Sequence, residues 1–151
     1  MILQGFSPRV ANLQSPRFSS YDSGYITTSD VFANINSFFK APAYTHDMAT
    51  YAENTKAPFS VMELVSLKPT LLKLNATGFK GPALVLSGEY DWIVCGGYCV
   101  GEMEPSFDGL FGAGTGFETY IQPKTGHALN FATNATGSFT AIFAYLANHG
   151  L

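Results

Sequence analysis

Hydrophobic and polar positions along this chain change rhythm twice. A short apolar run opens it, "ILQGF", and predicts a strand over Ile2–Phe6. Residues 7–24 are rich in Ser, Pro and Gly and read as loop. From residue 25 to about 70 the apolar positions fall at helical spacing, but in short pieces. Ser29 and Asp30 offer caps for "VFANINSFF", and Pro42 interrupts the helical pattern. Thr45 or Asp47 caps "THDMATYAENTK". Ser60 and Glu63 give "SVMELVSL" a capping-box spacing. Then the rhythm shifts. "GPALVLSG" is a continuous apolar run of strand length between glycines, which predicts a strand over Ala83–Ser87 buried on both faces. "FETYIQ" predicts a further strand over Phe117–Ile121, stopped by Pro123. Finally Phe139, Ile142, Phe143 and Leu146 fall at i, i+3, i+4 and i+7, one apolar helix stripe that ends near Gly150.

Strands separated by helices imply an α/β fold with a parallel sheet. The expectation is about three parallel strands, a helical cap inserted over residues 8–76, and a C-terminal helix, all within one domain. In such sheets chemistry gathers just beyond the carboxyl ends of the strands. Asp91 follows the second predicted strand and His127 follows the third.

Composition narrows the function classes. The chain has 151 residues, 46% apolar and only 13% charged, which excludes a disordered polymer and leaves few charges to cover a surface. An apolar face in need of a partner is therefore expected. The formal net charge is −3 and no basic block occurs, which argues against nucleic acid and anionic membranes. The apolar runs are too short to span a bilayer. The opening residues lack the charged start and apolar stretch of a secretory signal.

The candidate chemistry lies in two loops. "KTGHALN" places His127 at a strand tip, as a general base or as a loop histidine capping the last helix. Asp91 is either the carboxylate that orients that imidazole or an ordinary turn aspartate, with Glu89 as the fallback acid. The pair, if real, lies within about 2.6–3.2 Å. Serine nucleophiles are poorly supported. Ser7 is followed by Pro8, which has no N–H to offer an oxyanion, and Ser87 lacks a glycine two positions earlier. Cys95 and Cys99 in "CGGYC" either form a short-loop disulfide, worth about 2 kcal/mol, or stay free thiols. A zinc site using His127 would need four ligands, which the spacing does not supply. No cofactor is called for. Asn75 and Asn134 sit in Asn-Ala-Thr sequons and are candidate glycan acceptors. Phe32, Phe38, Phe39, Tyr44, Tyr51 and Phe59 either line an apolar pocket or pack the cap itself. His46 and His149 read as surface residues.

"LVLSGEYDW", then "GHALN" some distance on, resembles the closing half of an α/β-hydrolase. The longer match is to fungal members of that family, often secreted. It runs through "ILQGFS", "SFFKAP", "YAENTKAPFSVMEL", "SGEYDW", "CGGYC", "YIQPKTGHALNFATNATG" and "AYLANHGL". The resemblance implies that Asp91 is the acid and His127 the histidine of a hydrolytic triad. It implies an ester-like, small apolar substrate and a serine nucleophile. It also implies that the chain corresponds to the family's sixth strand onward, without the G-x-S-x-G elbow. The expected consequences are little turnover alone, and a first strand whose open edge invites self-association. The alternative expectation is a binding or interaction module without catalysis, or a truncated gene product.

Overall fold

The computed structural model describes residues 17–63, 65–66, 75–103, 107, 109–112 and 116–151. Within them the chain is a mixed α/β protein. The opening strand expected over Ile2–Phe6 and the loop serine Ser7 lie outside the described residues, as does its expected pairing with "ALVLS".

The first elements among the described residues are a pair of two-residue strands that the sequence did not reveal. β1 (Tyr25–Ile26) pairs antiparallel with β2 (Phe59–Ser60), Tyr25 opposite Ser60 and Ile26 opposite Phe59. Between them lie two helices. α1 (Val31–Phe38) starts at Asp30, whose carboxylate accepts the Ala33 N–H at 2.9 Å. α2 (His46–Thr55) starts at Thr45, whose hydroxyl accepts the Met48 N–H at 3.2 Å. Such side-chain acceptors satisfy amides that the first helical turn leaves unpaired. α1 ends at Phe38, before the cis Ala41–Pro42 bond.

A polar network fastens these elements. Lys56 Nζ donates to Glu53 Oε1 at 2.5 Å and to the Thr28 carbonyl at 2.8 Å. Asn34, which is buried, donates to the other Glu53 oxygen at 3.2 Å. A low-dielectric setting makes such bonds valuable only when every member is paired. Residues 61–63 and 65–66 are helical, within the stretch where the capping-box spacing predicts a helix.

The sheet that carries the site comes next in the chain. β3 (Leu84–Gly88) and β4 (Glu118–Gln122) pair in parallel, with Leu84 opposite Glu118 and Gly88 opposite Gln122. Each strand is displaced by one residue from its predicted span. Between them, the expected loop after β3 contains one turn of helix, α3 (Trp92–Cys95). After β4 come a 3-10 turn over Leu129–Phe131 and α4 (Ala135–Asn148).

One expectation about burial is corrected. Leu84, Val85 and Leu86 are half-buried, so β3 is not covered on both faces by the described residues. The apolar stripe of α4 divides, with Ile142 and Leu146 half-buried and the two phenylalanines outward. Phe139 is 44% and Phe143 67% exposed, whereas Ser138 and Tyr145 are buried. The reason is that α4 docks on β4 through polar contacts. Ser138 donates to Gln122 Oε1 at 3.1 Å, and Tyr145 donates to the Gly116 carbonyl at 2.9 Å. These bonds turn Ser138 and Tyr145 inward and leave the phenylalanines outside. No helix among the described residues is long and apolar enough to cross a membrane.

Candidate functional site

The ends of β3 and β4 meet because two glycines permit it. A Cβ on Gly88 would lie 2.1 Å from the Gly126 carbonyl oxygen and 2.4 Å from that of Thr125. Only a hydrogen fits there. The two loops that leave the strands are therefore pressed together and bond as a unit. Tyr90 N–H donates to the Thr125 carbonyl, and Glu89 N–H to the Gln122 carbonyl, each at 2.9 Å. Lys124, with a left-handed φ of 56°, donates its N–H to Glu89 Oε2 at 2.7 Å. Glu89 thus ties the histidine loop in place, and the imidazole goes to Asp91 instead.

Asp91 sits at the N-terminus of α3 and is 2% exposed. Its Oδ1 accepts the N–H groups of Ile93 and Val94 at 2.8 and 2.9 Å. Its Oδ2 accepts the Ser87 hydroxyl at 2.7 Å and lies 2.8 Å from His127 Nδ1. A carboxylate offers about four acceptor sites, and here all of them face donors. Burial pushes the Asp91 carboxyl up. The bond to His127, the Val94 amide and the Ser87 hydroxyl outweigh it, and the carboxyl ends below its ordinary value. With Asp91 ionised, His127 Nδ1 must carry the proton. Nε2 is then the basic nitrogen, as an acid–base role requires.

The imidazole is flanked on its other side by the end of α1. Ala128 N–H donates to the Phe38 carbonyl at 2.8 Å, and the Phe38 ring lies 5.8 Å from the His127 ring. Gly126 allows this approach, since a Cβ there would meet the Phe38 carbonyl oxygen at 2.9 Å. The His127 side chain remains 38% exposed, so it can be reached from solvent. Among the described residues nothing hydrogen-bonds Nε2.

Beside this loop is a cavity of about 380 Å³. Phe38, Phe39, Phe59 and Phe131 line it with Ala128, and Lys56 and Thr28 supply polar groups. This sorts the aromatic residues singled out in the sequence. Phe38, Phe39 and Phe59 face the cavity, Tyr44 packs on Phe39 at 5.3 Å, and Phe32 and Tyr51 are exposed. Phe131 is a lining residue that sequence reasoning missed, because it lies in a short turn with no periodicity.

The structure also places the other candidate residues. Cys95 and Cys99 are joined in a disulfide that closes the loop after Asp91. The bridge is reinforced by backbone bonds from Gly97 N–H to the Asp91 carbonyl at 2.9 Å and from Cys99 N–H to the Glu89 carbonyl at 2.8 Å. Asn75 is exposed, and its Oδ1 accepts from the Thr77 N–H and hydroxyl, an Asx turn. Asn134 is different. Its Nδ2 donates to the Pro123 carbonyl at 2.8 Å and its Oδ1 accepts the Thr125 hydroxyl at 2.9 Å. The amide nitrogen a glycan would need is already engaged in bracing the histidine loop. His46 is exposed as expected. His149 is half-buried, its ring 4.2 Å from that of Tyr145 and its Nδ1 2.9 Å from the Tyr145 carbonyl, so it is part of the helix end. Ser87 is buried and donates to Asp91, so its hydroxyl is not presented to a substrate.

The chain matches no protein-family model, no curated protein and no solved structure.

Proposed function

We propose that this chain carries the acid and the base of a serine-type α/β-hydrolase site, with Asp91 orienting His127 for hydrolysis of a small apolar ester. The observation that supports this most is the contact between His127 Nδ1 and a fully donor-satisfied, buried Asp91 carboxylate at 2.8 Å. That arrangement leaves Nε2 free to take a proton from an attacking hydroxyl and return it to the leaving alcohol. The aromatic cavity next to the loop suits an acyl or aryl group of modest size. The sequence carries no G-x-S-x-G elbow to supply the attacking serine, so the chain alone is expected to turn over slowly.

The test is hydrolysis of p-nitrophenyl esters by the 151-residue chain, with His127→Ala as control. A small rate that depends on His127 supports the reading. Equal rates for both proteins remove the catalytic reading for this chain.

A second reading is favoured by a separate observation, the exposed Phe139 and Phe143 on α4. A face of this kind marks association surfaces. In that reading the chain is a binding module in which the acid–imidazole pair only braces two loops. Concentration-dependent dimers in sedimentation, with no His127-dependent hydrolysis, would favour it.

A further inference from the structure

Ser87 is the penultimate residue of β3, and nothing in an esterase-type mechanism requires a hydroxyl there. It is nonetheless buried, at 2% exposure, where an unpaired hydroxyl would be costly. Its single proton is directed at Asp91 Oδ2, the same oxygen that meets His127 Nδ1. The other oxygen is fixed by two backbone amides of α3. Those amides act as a pivot. Without a second donor on Oδ2, the carboxylate plane could swing about Oδ1, and only a partly exposed imidazole would oppose it. Ser87 Oγ also lies 3.6 Å from the Cys99 sulfur. That sulfur is in the disulfide and has no proton to give, so it acts as a wall that limits the hydroxyl's rotamers.

We propose that Ser87 is a positioning residue for the Asp91–His127 pair, setting the plane of the carboxylate through Oδ2. The geometric claim concerns the pair itself, and its meaning for catalysis rests on the hydrolase reading above. Strand β3 therefore delivers two things to the site, the chain leading to the acid and the hydroxyl that aims it. The disulfide contributes by closing the wall behind that hydroxyl.

The experiment tracks the Asp91 side-chain carboxyl by ¹³C NMR across an acid titration, together with solvent exchange of the His127 Nδ1 proton. In Ser87→Ala the Asp91 midpoint moves upward, and the Nδ1 proton exchanges about tenfold faster, as expected for one lost bond to a charged acceptor. In Ser87→Thr, which keeps the hydroxyl and suits a strand, both return to the original values. An unchanged Asp91 midpoint in a folded Ser87→Ala chain overturns the proposal. Should the alanine variant unfold, Ser87→Thr carries the decision, and an upward-shifted midpoint in it overturns the proposal equally. Neither readout requires turnover, so a chain that fails to hydrolyse esters leaves this result standing, and the reverse also holds.

Discussion

His127 and Asp91 are 36 residues apart in the chain, yet Nδ1 and Oδ2 lie 2.8 Å apart. The approach is arranged by backbone. Two parallel strands end in register, and the loops that leave them exchange amide bonds before any side chain is considered.

The Asp91 carboxylate meets two backbone amides, one hydroxyl and the His127 ring, so truncating it leaves several donors unmet. Asp91→Ala is expected to destabilise the chain by about 2–4 kcal/mol. Urea denaturation monitored by tryptophan fluorescence measures it, since Trp92 is the next residue. A loss below about 0.5 kcal/mol would mean the hydrogen bonds are not formed in solution.

The same carboxyl predicts a pH dependence. Its folded value is lowered from 3.8, so the unfolded chain binds its proton more readily. The stability it contributes is fully present above that unfolded value. It is lost as pH falls through the lower folded value. Unfolding free energies measured from pH 5 downward should therefore fall more steeply for the native chain than for Asp91→Asn.

Gly88 tolerates no side chain, because a Cβ would lie 2.1 Å from the Gly126 carbonyl oxygen. Gly88→Ala is expected to cost more than about 3 kcal/mol, as overpacking against backbone does at its upper end. Gly24→Ala is the control, since nothing lies within 4 Å of that Cβ. Thermal melts of the two variants should differ by well over about 5 °C.

Reduction of the Cys95–Cys99 bridge removes a constraint on a very short loop. The expected loss is about 2 kcal/mol in the loop-entropy picture. Denaturant midpoints with and without a dithiol reductant measure it, and Cys95→Ser with Cys99→Ser should reproduce the reduced value without reductant.

Much of this arrangement was legible in the residues. The shift from helical to strand rhythm located β3 and β4 to within one residue, β3 from a continuous apolar run between glycines and β4 from a short run closed by Pro123. The helix starts were legible to within a pair of candidate caps, Ser29 or Asp30 and Thr45 or Asp47, and the structure uses Asp30 and Thr45. Other features were not. β1 and β2 are two residues each, too short for any period to register. The outward turn of Phe139 and Phe143 was hidden because apolar spacing identifies a stripe but not which polar residue, here Ser138 with Gln122, takes the inner position instead. Asn134 was read as a sequon, since its brace to Pro123 and Thr125 depends on a loop conformation that no spacing encodes.

The bond from Ala128 to the Phe38 carbonyl has an effect beyond packing. It joins the residue after the imidazole to the last turn of α1, and that turn also forms one side of the aromatic cavity. A guest entering the cavity would push on the same backbone that steers the ring. Occupancy and proton-accepting geometry would then report on one another through a single hydrogen bond.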